Sequence, residues 1–143
     1  MDIHSDRNLK METYKTKQLK RAISKIADIS EKKFSQEICG ILGHDGSDYI
    51  VQECKNISDR PSETFVMDPL HYLLFKEEYS TIAIFHSHIV GDETPSDFDI
   101  VMSENSCIPF MIYSLNTKNV YIHTPKHIDA DKGKLEKVKE KIK

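Results

Sequence analysis

The chain is poor in cysteine, has no long apolar run and carries no basic excess, and each shortage removes a class of function. Its three cysteines, Cys39, Cys54 and Cys107, form no Cys-x-x-Cys pair. That argues against a cysteine-built zinc site. It also argues against a nucleotide-type zinc deaminase, which joins such a pair to a His or Cys at a helix start. No local signature of a cysteine nucleophile surrounds them. All three lie in or beside apolar segments and read as buried free thiols. No stretch approaches the roughly 18 apolar residues of a membrane span, and the segment from Met1 to Arg7 has no hydrophobic signal core. A cytoplasmic location and no membrane partner are the expectations. The formal net charge is -3, so there is no global basic field and no nucleic-acid partner is expected. There is no internal repeat and no low-complexity tract.

What remains is a soluble, globular composition, with 38% apolar and 30% charged residues. A chain of 143 residues is long enough for one domain with its own core. Residues 1–15 are polar and irregular and read as a flexible segment. Leu19, Ile23, Ile26 and Ala27 recur at helical spacing and predict an amphipathic helix over about 16–29. Ile38 to Leu42 and Tyr49 to Val51 read as strands, joined by a hairpin at Asp45-Gly46, a pair suited to positive φ. Thr64 to Met67 reads as a short strand. Asp68 as N-cap and Pro69 at the first helical position open a helix, with Leu70, Leu73 and Leu74 as its buried stripe. Thr81 to Phe85 is apolar and β-branched, the pattern of a central strand buried on both faces. Phe110 to Tyr113 and Val120 to His123 are expected to pair across residues 115–119. The fold class is α/β, a mixed and largely antiparallel sheet flanked by helices. Residues 16–128 form the main domain. Residues 129–143 form a Lys-rich tail with Leu135, Val138 and Ile142 at helical spacing, read as an amphipathic helix docked by a narrow stripe. A docking element for a partner is the alternative.

The chemistry concentrates where the central strand ends. His86 and His88 are two apart, so strand alternation points both the same way, as two ligands of one tetrahedral ion would need. Ser96 then opens a helix, with Asp99 three positions later in the pattern of a capping box. Phe98, Val101 and Met102 continue at helical spacing and are expected to face the core. Asp99, in the first turn, is within reach of the histidines as a third ligand. Glu37, before the strand Ile38 to Leu42, is a candidate for the proton transfers that metal-assisted hydrolysis requires, although spacing alone does not place it beside the histidines. Each residue also has a plainer account. The histidines are strand residues satisfied by hydrogen bonds, Ser96 and Asp99 a simple cap, and Glu37 an exposed residue before a strand. His4, His44, His71, His123 and His127 are scattered and assigned to surface or local packing. Tyr113 and Tyr121 are assigned to sheet packing.

Taken together, Glu37, then His86-x-His88, seven residues, Ser96, two residues and Asp99 resemble the signature of the JAMM family, the metal-binding MPN domains. Glu37-Ile38-Cys39-Gly40 resembles the family's Glu-x-Cys-Gly segment, and the resemblance runs from about Leu19 to about Tyr121. Cys54-Lys55-Asn56-Ile57-Ser58, Phe65-Val66-Met67-Asp68-Pro69 and Tyr72 are similar to the N-terminal half of tail-tip proteins of lambda-like phages and to stand-alone bacterial JAMM peptidases. The papain-like domain that usually follows in those phage proteins has no counterpart in these residues. Ile89 stands where many members have Pro. The loop from Val90 to Pro95 has no room for the inserts with which some members grip ubiquitin.

The resemblance implies an MPN fold with cytidine-deaminase-like layering and one zinc ion per chain on His86, His88 and Asp99. It implies a water hydrogen-bonded to Glu37 as general base and then acid, and Ser96 as oxyanion donor. The implied reaction is hydrolysis of a peptide or isopeptide bond. The implied partner is a peptide or protein substrate, such as a ubiquitin-like or sulfur-carrier tail or a phage tail component. The competing implication is a zinc-containing structural module of a phage tail or multi-protein complex, virion-associated if the chain is phage-encoded. Substrate identity and oligomeric state have no readable code here.

Overall fold

The computed structural model describes residues 12–142. In chain order the elements are β1 (Thr13–Thr16), α1 (Leu19–Glu31), β2 (Cys39–His44), β3 (Tyr49–Cys54), α2 (Pro69–Glu78), β4 (Ser80–His88), α3 (Asp97–Ser106), β5 (Phe110–Ser114), β6 (Val120–His123) and α4 (Lys132–Ile142). The strands form one six-stranded sheet in the order β1-β3-β2-β4-β5-β6. Only β4 and β5 pair in parallel, and α3 lies in the connection between them. The other ladders are antiparallel. The expected mixed, largely antiparallel sheet is therefore present.

β4 lies inside the sheet with every residue from Thr81 to His88 buried. Its β-branched run tolerates burial on both faces, as the sequence predicts. The two faces carry separate cores. On one, Ala22 and Ile26 of α1 and Leu135 and Val138 of α4 pack with Leu42, Phe85 and Met111. On the other, Ile41, Ile84, Phe65, Phe75 and Phe110 pack together. The docked tail helix matches the narrow-stripe expectation, since Leu135 and Val138 are wholly buried. Between β2 and β4 the register shifts at Leu42/Gly43. Leu42 pairs with Ala83 and Gly43 with Thr81, so Ile82 is the extra residue of a bulge.

Several expectations need correction. The irregular segment expected over residues 1–15 lies, for residues 1–11, outside the described residues. Thr13–Thr16 instead forms an edge strand on β3, a short run in which Tyr14 alone packs against the core and the rest is held by backbone pairing. Thr64 to Met67 is not a strand. Only Met67 makes a bridge, to Asn56, because the Thr64 carbonyl and the Val66 N–H are taken by the Asn56 side chain. Asp68 does cap α2, accepting from the Leu70 N–H at 3.0 Å. The buried face of α2 is His71, Leu74 and Phe75, while Leu73 is exposed. Cys39 and Cys54 are buried thiols, but Cys107 is only half-buried, since it ends α3 in the left-handed conformation at φ 61°.

Gly40 of β2 lies where a side chain has no room. An added Cβ would overlap the Phe85 ring and the Gln52 carbonyl oxygen, and the second of these is backbone. Gly40→Ala should cost about 2–3 kcal/mol or more through overpacking. Urea unfolding of the variant should show a clearly lowered midpoint, and an unchanged one would mean that the β2–β4 spacing is not fixed by this contact.

Candidate metal centre

Alternation along β4 sends His86 and His88 to the face that holds Ile84 and Phe110, and Ser87 to the opposite face. His86 is wholly buried. Phe65 stacks on its ring, with centroids 4.3 Å apart, and Phe110 meets it edge-on at 5.7 Å. Those walls leave the imidazole one orientation and no water. His88 is nearer the surface. Its Nδ1 lies 2.8 Å from the Asp92 carbonyl oxygen, an acceptor, so Nδ1 carries the hydrogen and Nε2 of the neutral ring presents a lone pair.

Asp99 closes the group. Ser96 is the N-cap of α3, and the capping box is complete. The Ser96 hydroxyl accepts from the Asp99 N–H at 3.1 Å, and Asp99 Oδ2 accepts from the Ser96 N–H at 3.0 Å. The same carboxylate meets both imidazoles, with Oδ1 3.1 Å from His86 Nε2 and Oδ2 3.0 Å from His88 Nε2. The cap thus aims the carboxylate at the histidines instead of competing with them. The potential donor atoms of His86, His88 and Asp99 lie within 4.8 Å of one another.

This group is short of positive charge. Neither ring nitrogen of His86 makes a hydrogen bond, because the close Asp99 oxygen is poorly aligned with Nε2. Around His88 a lone pair faces a carboxylate oxygen. Buried acceptors in such contact need a proton or a cation between them. The ionisation tendencies agree. Burial pushes His86 down, towards the neutral ligand form. For His88 burial also works against charge, but the Asp99 carboxylate and the Asp92 carbonyl outweigh it and raise the pKa. Burial would raise Asp99, yet the two imidazoles and the Ser96 N–H hold it well below the usual carboxylate range. Two imidazoles and an anionic carboxylate on convergent lines fit a tetrahedral divalent ion.

Glu37 and Ser96 line the same small cavity, about 140 Å³, with His88, Asp99, Glu63, Thr64, Val90 and Phe98. Glu37 is buried. Burial pushes its carboxyl up to about 8, with His88 lowering it and Asp99 raising it further. Its backbone is fixed on both sides. The Glu37 N–H donates to the Pro61 carbonyl at 2.7 Å, and its carbonyl accepts from Asn56 Nδ2 at 2.9 Å. The next N–H, of Ile38, donates to Ser87 Oγ at 2.9 Å.

The structure therefore gathers every residue singled out from the sequence. His86, His88 and Asp99 cluster, and Glu37 and Ser96 face the cavity beside them. Sequence reasoning missed the supports. Ser87, the middle residue of His86-x-His88, ties β4 to the start of β2. Asn56 also receives the N–H groups of Ser58 and Val66 and so links Glu37 to the segment that carries Phe65. Asn116 donates to the Ile89 and Gly91 carbonyls at 3.0 and 2.9 Å, pinning the loop that supplies the Asp92 carbonyl. A lone Asn in a turn gives no sequence signal of such a duty. One expectation fails outright. Phe98, Val101 and Met102 are exposed, and the inward face of α3 is Asp99 and Ser103, because the carboxylate takes the direction an apolar stripe would have taken.

Comparison with known proteins agrees with this geometry. The profile of the family described as prokaryotic homologs of the JAB domain matches residues 19–129. The tail tip assembly protein K of Escherichia phage N15 is 26% identical over 94 residues, which is 66% of this chain and 39% of that protein. The chain thus spans well under half the length of that relative. A solution structure of a protein from Desulfitobacterium hafniense superposes with a TM-score of 0.60 at 22% identity, covering 78% of this chain and 86% of the other. That likeness shows the fold alone.

Titration of the chelator-treated protein with Zn²⁺ should reveal about one tight site per chain, and His88→Ala or Asp99→Asn should weaken it by about 100-fold or more. Full stoichiometry and affinity in Asp99→Asn would remove the carboxylate from the ligand set. In the chelated protein, Glu37 has a second measurable effect. Unfolded, it loses its proton near 4.5, and folded it keeps it to about 8. Wild-type stability should therefore fall relative to Glu37→Gln as pH rises between those values, by on the order of a few kcal/mol, and level off above. Parallel urea midpoints of the two proteins at pH 5 and pH 8.5 would contradict it.

Proposed function

The chain belongs to the family of prokaryotic homologs of the JAB domain, and on that premise we propose that it is a zinc-dependent hydrolase of a peptide or isopeptide bond. The observation that carries this reading is the buried set His86, His88 and Asp99, short of a cation, opening on the same cavity as a protonatable Glu37. Two imidazoles and one carboxylate favour zinc over harder ions, which prefer all-oxygen shells. Bound there, zinc would polarise the scissile carbonyl and lower the pKa of a water to about 7.

The remaining work falls to the chain's own groups. Burial raises the Glu37 carboxyl, to about 8 with no metal beside it, so the group can both hold a proton and give it up. As the carboxylate it takes a proton from the attacking water, and as the acid it returns one to the leaving amine. Ser96 Oγ already accepts the Asp99 N–H, so its own hydrogen is free to point into the cavity and donate to the developing oxyanion. Phe65 and Phe110 keep water away from His86, which preserves the strength of these interactions.

A second reading has an observation of its own. The phage N15 relative is named for tail tip assembly, and a chain of this kind could hold zinc while serving as an assembly component. The two readings part in one experiment. The zinc-loaded protein, incubated with a pool of denatured-protein peptides, should release new amino termini detectable by mass spectrometry. Glu37→Gln should keep its zinc and lose about 100-fold or more of that rate. Ser96→Ala should keep its zinc and lose about 100- to 1,000-fold in kcat. Zinc held by wild type with no new termini would turn the case towards assembly.

A further inference from the structure

Helix α3 faces the solvent with the side chains expected in a core. Phe98, Val101 and Met102 share one face at i, i+3 and i+4, and they are 40%, 52% and 37% exposed. Val90, in the loop before the helix, is 84% exposed. Single exposed apolar residues are ordinary. These differ in position, because Val90 and Phe98 line the same cavity as Glu37, His88, Ser96 and Asp99. The apolar lip is continuous with the proposed reaction centre.

The cavity's size and charge restrict its occupant. At about 140 Å³ it admits a side chain or a short stretch of extended backbone, not a folded domain. Glu37 and Asp99 lie in its walls and disfavour an acidic side chain, while the Glu63 carboxylate at the edge is paired with Arg60 at 3.4 Å. Its outer edge offers only the apolar Val90 and Phe98 on the α3 side. We propose that Val90 and Phe98 form an apolar subsite that takes a bulky apolar side chain beside the scissile bond of an extended peptide. Val101 and Met102 continue that surface along α3. The placement beside the scissile bond rests on the hydrolase reading given above, while the peptide-binding claim does not.

Binding and cleavage are therefore tested separately. The binding probe is a positional-scanning library of blocked hexapeptides, presented to zinc-loaded Glu37→Gln protein. Selected peptides should be enriched in Leu, Ile, Met or Phe at one position and depleted of Asp and Glu there. Adding Val90→Ser and Phe98→Ser should weaken binding of those peptides about tenfold or more, with zinc content and thermal midpoint unchanged. No selection, selection without an apolar preference, or equal binding by the serine variants would overturn the subsite. Active wild-type protein is then given the selected peptides. Cleavage next to the enriched position supports the proposal in full, and cleavage elsewhere overturns its placement. Binding without any cleavage refutes the hydrolase reading and the placement, and leaves an apolar peptide site.

Discussion

One carboxylate organises the site. Asp99 meets His86 with one oxygen and His88 with the other while completing the cap of α3. That double duty sets where α3 begins, how long the loop after β4 is, and which face of the helix turns inward. A helix dipole and a backbone N–H favour the anion at this position. Two imidazoles then face a fixed negative charge, His86 wholly buried and His88 at the wall of the cavity. That arrangement takes either a proton or a cation between its acceptors, before any question of which reaction it serves.

Glu37 reaches the same place by a different route. Its ligand neighbours come from a short stretch of chain, but Glu37 belongs to the other side of a β-ladder. The Ser87 hydroxyl joins the two at Ile38, and Asn56 joins Glu37 to the segment bearing Phe65. Polar side chains bound to backbone groups hold Glu37 in its place beside the cavity.

Much of this was legible in the sequence, for identifiable reasons. The run Thr81 to Phe85 can only be a buried strand, Asp68-Pro69 and Ser96 with Asp99 are local signals written in adjacent residues, and His86 and His88 follow the strand's period. What was not legible depends on contacts far apart in sequence. Thr13–Thr16 pairs through its backbone, and its side chains advertise nothing. Phe98, Val101 and Met102 have the spacing of a core stripe, but spacing sets only which residues share a face, not which way the face turns. Asp99 decided that direction. Ser87, Asn56 and Asn116 act through hydrogen bonds to distant backbone, which no periodicity records.

The interior position of β4 has a consequence for how the protein breathes. Edge strands fray first, and here the edges are β1 and β6. Neither carries a residue of the site. His86 has a strand partner on each side, Cys39 and Ile112, and His88 pairs with Ser114 of β5, so His86 sits in the part of a sheet that opens least readily. Local fluctuation of the rim at Val90 therefore bears on His88, whose ring is held by the Asp92 carbonyl of the same loop, and leaves the buried His86 in place.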